Sequence, residues 1–199
     1  MKSSIKLLFA KALICAFSVP AMAASYGEVG FGLAGGKDAS PTFQLRAANS
    51  FWKHEVSINY LNIYGAQADG MKTDGANLPT IGIELNRVYN LPTNDGATIS
   101  LGGGLGYTMP NLNSGVSERA DNDISWTIGA TLAKPLSRKF YLAFSIKGFF
   151  FTTDSQLTTY SSHPETLSSG DEVEVTDVSY QDNRLNFNSV LFMLALRWR

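Results

Sequence analysis

Between Ala97 and Met109, apolar and small polar residues alternate with few errors. Ile99, Leu101, Leu105, Tyr107 and Met109 share one parity, whereas Thr98, Ser100, Gly102, Gly104, Gly106 and Thr108 share the other. Side chains two apart lie on one face of a strand, so the segment predicts a strand with an apolar face and a small, polar face. The same alternation predicts strands at 25–34, 42–49, 54–64, 80–89, 97–109, 124–133, 140–151 and 185–198. An even number of antiparallel strands is what ring closure requires. Two stretches strain the pattern. Leu61 to Tyr64 lose parity, which suggests a bulge, and Leu191 and Met193 put apolar residues on the otherwise polar face of the last strand.

The connections alternate in length. Segments 50–53, 90–96 and 134–139 are short, with turn chemistry in Asn94-Asp95-Gly96 and Lys134-Pro135. Segments 35–41, 65–79, 110–123 and 152–184 are the long set, as on the extracellular side of an outer-membrane barrel. Charge follows the same division. The long connections hold Asp38, Asp69, Asp74, Glu118, Asp121, Asp123, Asp154, Glu165, Asp171, Glu172, Glu174, Asp177 and Asp182 out of 17 acids in the chain. The short turns and the C-terminus carry Lys53, Lys134, Arg138, Lys139 and Arg199 against Asp95. A soluble barrel has no reason to sort its loops this way. Aromatic residues near strand ends suggest interfacial girdles, with Tyr26, Tyr89, Phe140 and Trp198 on the inner side and Tyr64, Tyr107 and Trp126 on the outer.

Residues 1–23 read as a secretory signal. Lys2 and Lys6 open it, the Ala12 to Val19 run has the length of a signal core, and Ala21-Met22-Ala23 fits the small-x-small cleavage pattern. A lipidated Cys15 is the rival, opposed by Ile14 before it and by the apolar tail after it. The barrel then occupies 24–199. Cys15 is the single cysteine, so the mature chain has neither disulfide nor thiolate chemistry. Removing Lys2, Lys6 and Lys11 from the 16 basic residues leaves an acidic excess, which argues against a nucleic-acid partner.

At this point the chain resembles the small eight-stranded outer-membrane barrels of Gram-negative bacteria, the OmpA/OmpX-like class. The residues that carry the likeness are Ala21-Met22-Ala23, the glycine-rich strands at 27–33 and 99–107, and the closing strand Val190 to Trp198. The resemblance implies an all-β, antiparallel up-and-down transmembrane β-barrel in the outer membrane, in contact with its lipid and lipopolysaccharide. It also implies the barrel-assembly machinery as a partner, which in this class reads an aromatic end to the last strand. Here Trp198 is penultimate and Arg199 terminal.

The polar parity places Glu28, Arg46, Glu55, Glu84, Lys147 and Arg197 in the lumen. Strands one and eight adjoin on closure, so Arg197 approaches Glu28, and Arg46 lies between Glu28 and Glu55. Glu84 and Lys147 sit on strands three apart and meet across the lumen. Unpaired interior charge is costly, so a paired network is expected, in a barrel just wide enough for side chains to fill it. Inward glycines leave room for the long side chains. The expectation is a plugged polar lumen without a general porin channel; a gated ion or proton path is the rival.

Candidate chemistry is sparse. Gly30, Gly32 and Gly35 match GxGxxG, but the loop Gly36 to Pro41 starts no helix and lacks the dinucleotide-binding context. His54 and Ser57 point to opposite faces, whereas His163, with Ser161, Ser162 and Glu165, could meet in the long outer connection. Asp171, Glu172, Glu174 and Asp177 are weak candidates for a Ca²⁺ site, their spacing matching no EF-hand loop. Alternation at Glu172, Val173, Glu174, Val175 and Val178 suggests that strands extend beyond the membrane as a hairpin.

The sequence therefore predicts a non-enzymatic barrel without cofactor, supporting the envelope or presenting acidic surface loops, above all 152–184, to a surface ligand. The alternatives are a lipid A-modifying hydrolase of the outer membrane and a soluble periplasmic barrel that binds an apolar ligand.

Overall fold

Period-two alternation along most of residues 24–199 leaves each strand with one face to bury, and closing the sheet on itself turns those faces inward and pairs the strand edges within the ring. The computed structural model describes residues 24–36, 38–68, 71, 75–93, 96–112, 117–166 and 172–199. Its elements are β1 (Ala24–Gly35), β2 (Ser40–Phe51), β3 (His54–Ala66), β4 (Ala76–Asn90), β5 (Thr98–Thr108), β6 (Asn111–Leu112), β7 (Ser117–Ala120), β8 (Asp123–Pro135), β9 (Phe140–Thr166) and β10 (Glu172–Trp198). Eight of them form the ring β1-β2-β3-β4-β5-β8-β9-β10, closed by antiparallel pairing of β10 with β1 from Gly27↔Trp198 to Gly35↔Val190. The short β6 and β7 lie within the β5–β8 connection, β6 against β4 and β7 against β9.

The outer face carries a belt of exposed apolar side chains, including Leu85, Leu101, Ile128, Phe144, Phe192 and Leu194. The ionic residues are inside. That is the inverse of a soluble ligand-binding barrel, in which the apolar face would turn inward, and it is the arrangement that hydrocarbon surroundings select. The expected strand faces hold in β5: Leu101 and Leu105 are exposed, Ser100 and Thr108 buried. Of the girdle aromatics, Tyr89, Phe140 and Trp198 stand exposed at the inner strand ends and Tyr64 and Trp126 towards the outer ones. Tyr26 does not belong with them. It shares the inward parity of Glu28 and is buried, because its ring serves as a shelf for arginine: the Arg197 guanidinium lies 4.0 Å from the ring centroid and that of Arg46 lies 6.0 Å away.

The upper lumen also departs from expectation. Leu61 and Ile63 keep the inward parity of Glu55, Ser57 and Asn59, and the register shift comes later, between Ile63 and Ala66, where Gly65 takes φ +67°. Polarity inverts there while geometry does not. Leu61, Ile63, Leu78, Phe149, Phe151, Leu185, Phe187, Leu191 and Met193 all turn inward into one buried apolar cluster that starts beside Lys147, opposite which Leu191 stands, and runs towards the end with the long connections. The ionic residues thus fill the lumen towards the short turns, and the apolar cluster fills it towards the long connections. A reading that takes polar residues as the mark of the inward face must register the apolar stretch as lost parity.

Candidate functional site

Two places gather polar chemistry: the lower lumen and the hairpin made by β9 and β10. In the lumen, β1, β2, β3, β4, β9 and β10 each contribute one of the six ionic residues, all with 7% exposure or less. Closing the ring puts Arg197 of β10 directly opposite Glu28 of β1, and Arg46 of β2 opposite the same Glu28 on its other side. Arg197 Nε donates to Glu28 Oε2 at 2.9 Å, and its Nη2 lies at the same distance. Arg46 Nη2 donates to Glu55 Oε1, while Arg46 Nε donates to Ser57 Oγ at 2.9 Å. Lys147 Nζ reaches across the lumen from β9 and bonds both oxygens of Glu84, at 2.8 and 2.9 Å.

Arg46 does more than sit between two glutamates. Its Nη2 also approaches Glu84 Oε2 at 3.4 Å and its Nη1 lies 4.0 Å from Glu28 Oε1, so it joins the Arg197–Glu28 pair to the Lys147–Glu84 pair. Neutral donors complete the carboxylates. Asn86 Nδ2 bonds Glu55 at 3.3 Å, and Asn59 Nδ2 bonds Glu84 at 2.9 Å. With three acids facing three bases the layer is formally neutral, which is the condition for burying charge at tolerable cost. The glycines make it fit. A Cβ on Gly104 would meet Glu84 Cγ at 2.8 Å, and one on Gly129 would meet Lys147 Cγ at 2.8 Å. Between them, the niche lined by Glu84, Asn86, Thr127, Thr131 and Lys147 has no room for a water-sized sphere.

Above this layer comes a belt of hydroxyls, with Thr108 Oγ1 2.8 Å from Thr80 Oγ1 and 2.9 Å from Ser125 Oγ. Beside these hydroxyls lies the apolar cluster, with Leu61 opposite Thr80 and Phe151 opposite Ser125; in it Phe151 and Phe187 stack at 5.9 Å between centroids and Phe149 leans on Phe151 at 6.4 Å. The six charges were legible as inward parity on separate strands. The aromatic block was not, although Phe149-Phe150-Phe151 carries the signal: a strand with no polar face has apolar neighbours on both sides.

The second place is the outer connection. Segment 152–184, read from sequence as a long connection, is for the most part strand. β9 and β10 pair without a break from Phe140↔Trp198 to Thr166↔Glu172. Asp171 and the Glu172 side chain lie outside the described residues. Glu174 and Asp177 have opposite parity on β10 and so face opposite sides, and among the described residues no three His, Cys, Asp or Glu side chains converge on a cation site. His163 Nδ1 lies 3.3 Å from Asp177 Oδ2, with both side chains more than half exposed. Ser162 is on the other face, its hydroxyl 3.2 Å from Thr176 Oγ1. Among the described residues nothing encloses this exposed pair in the way that excluding water and positioning a substrate require.

No family model matches the chain, and no curated protein does. Among solved structures, Neisserial surface protein A matches over 89% of this chain and 99% of its own, with a TM-score of 0.58 at 11% identity. A major outer membrane protein from Thermus thermophilus matches over 90% of this chain and 100% of its own, with a TM-score of 0.49 at 13% identity. The likeness to Neisserial surface protein A is, at such identity, one of fold, and the fold is that of a small outer-membrane β-barrel.

Proposed function

We propose that this protein is a non-enzymatic outer-membrane barrel whose closed lumen serves as a structural core and whose working part is the β9–β10 hairpin held above it. The observation that carries this reading is the filling of the lumen. A neutral ionic layer fills one part of the lumen, and an apolar cluster with hydroxyls beside it fills the other, so transport is not what the shape serves. What the closed barrel can offer is a rigid mount, and rigid mounts typically present recognition segments at their ends. The purified protein in planar bilayers is expected to show no steady conductance. Stable, large openings would overturn the closed-core reading.

Orientation has its own test. The acids that a glutamate-specific protease can reach from outside are those of the hairpin and its neighbouring connections, whereas Glu28, Glu55 and Glu84 are buried in the barrel. Treating intact cells is expected to cut between Glu165 and Glu174 and to spare those three. Cleavage there after permeabilisation but not before it would place the hairpin on the other side of the membrane.

Surface lipopolysaccharide fits the lower part of the same picture. The apolar belt meets lipid, and the acidic outer segments can share divalent cations with lipid phosphates.

A further inference from the structure

β10 is paired on both sides only near the membrane. Its bonds to β1 stop at Val190, while its pairing with β9 continues to Glu172. The next 18 residues, at ~3.3 Å each, leave roughly 55–60 Å of strand with one side lacking a neighbouring strand among the described residues. The carbonyls of Val190, Phe192 and Leu194 are those turned towards β1. Because N–H and C=O of a strand residue point the same way and alternate along the chain, the even-numbered residues above them present their backbone groups to the unpaired side. Near the membrane that side is partly taken up. The Asn188 carbonyl faces Gly36, and the Arg184 amide is bonded by Asn183 Oδ1 at 2.9 Å. From Glu174 to Asp182 the edge has no backbone partner among the described residues.

We propose that this edge docks an extended, basic polypeptide segment of a partner by strand addition, its backbone pairing with Glu174, Thr176, Val178, Tyr180 and Asp182. The proposal rests on the surface reading above. Two features select the occupant. Carboxylates stand at both ends of the open stretch, with Val178 and Tyr180 exposed between them, and β9 places Pro164 opposite Glu174 and Gln156 opposite Asp182 rather than cations. A strand laid alongside would therefore meet Glu174, Thr176, Val178, Tyr180 and Asp182 on this face, acids at the ends with uncharged residues between, and cations at its own ends with apolar residues between complement that order. A second copy of the chain does not. Antiparallel self-pairing about Val178 sets Glu174 against Asp182 twice, and like charges directly opposite are destabilising. The acids thus guard the edge against self-association while leaving it open to a basic strand.

The probe is a nine-residue peptide with lysines at both ends and valines at its inner alternate positions, titrated against the full-length barrel in nanodiscs. Saturable binding is expected. N-methylation of the peptide amides that face β10 should weaken it at least tenfold, whereas N-methylation of the alternate amides should leave it within about twofold. The Tyr180→Pro variant, which removes one edge donor without touching the β9 side, should also lose at least tenfold, as should Glu174→Gln with Asp182→Asn. Retained heat-modifiable migration of each variant shows that its barrel is folded. Equal loss from both methylation patterns would reduce the contact to charge attraction and overturn strand addition. Absence of saturable binding, or equal binding of the lysine-to-glutamate peptide, would overturn it too, as would dimerisation of the unliganded protein through this edge. The nanodisc assay does not depend on membrane sidedness, so failure of the protease test on cells refutes the surface reading and failure here refutes the docking.

Discussion

Replacing Lys147 with methionine should destabilise the folded barrel by about 3–5 kcal/mol, measured as the shift in urea-unfolding free energy in detergent micelles. Lys147 Nζ is held by both oxygens of Glu84 in a layer without room for water beside it. Methionine keeps the volume of the stem and removes the charge, so Glu84 is left with one cation, Arg46, at 3.4 Å. Most of the penalty comes from that stranded carboxylate and not from the lost attraction, because the desolvation of a buried ion is offset only while its partner is present. The control follows from this. Adding Glu84→Gln to Lys147→Met removes the stranded charge and should restore more than half of the loss. A single variant within about 1 kcal/mol of the wild type, or a double variant worse than the single one, would show that the layer is not an ionic core.

Phe187→Ala should cost a similar amount, about 3–5 kcal/mol, for a different reason. Phe187 is buried against Phe151 in the apolar block, and its removal leaves a hole that neighbours anchored on separate strands can close only in part. The apolar block and the ionic layer fill different parts of the lumen, so either alone should keep the lumen shut. Phe187→Ala and Lys147→Met are each expected to remain non-conducting in planar bilayers. Steady current through the Phe187→Ala protein alone would mean that the upper block is the only seal.

Strand number, strand faces and the sorting of connections were readable from sequence because each is a local property. Period two is imposed by backbone geometry, and lipid, periplasm and exterior select residue types position by position. The inward charges were readable for the same reason, since a polar residue on a lumen parity needs no knowledge of its neighbours. Pairings were readable where closure makes strands adjacent, as for Arg197 with Glu28.

Other features depended on what lies across the barrel. Arg46 contacts three glutamates on three strands, a geometry set by the register and shear of the closed sheet. Tyr26 looks like an interfacial aromatic until Arg197 is placed over its ring. Leu61 and Ile63 look like a break in parity until Phe149, Phe151 and Phe187 arrive from β9 and β10 to give the upper lumen an apolar interior. The hairpin shows the same division. Alternation at 172–178 foretold strand, but that β10 outruns β1 and leaves one edge open follows from where ring closure ends at Gly35↔Val190. Sequence alone determined which charged residues turn inward and which strand faces carry the apolar belt, because those are single-residue choices of solvent. The tertiary structure decided which inward residues meet, and so whether the lumen closes and which edge stays free, because those are relations between strands far apart in the chain.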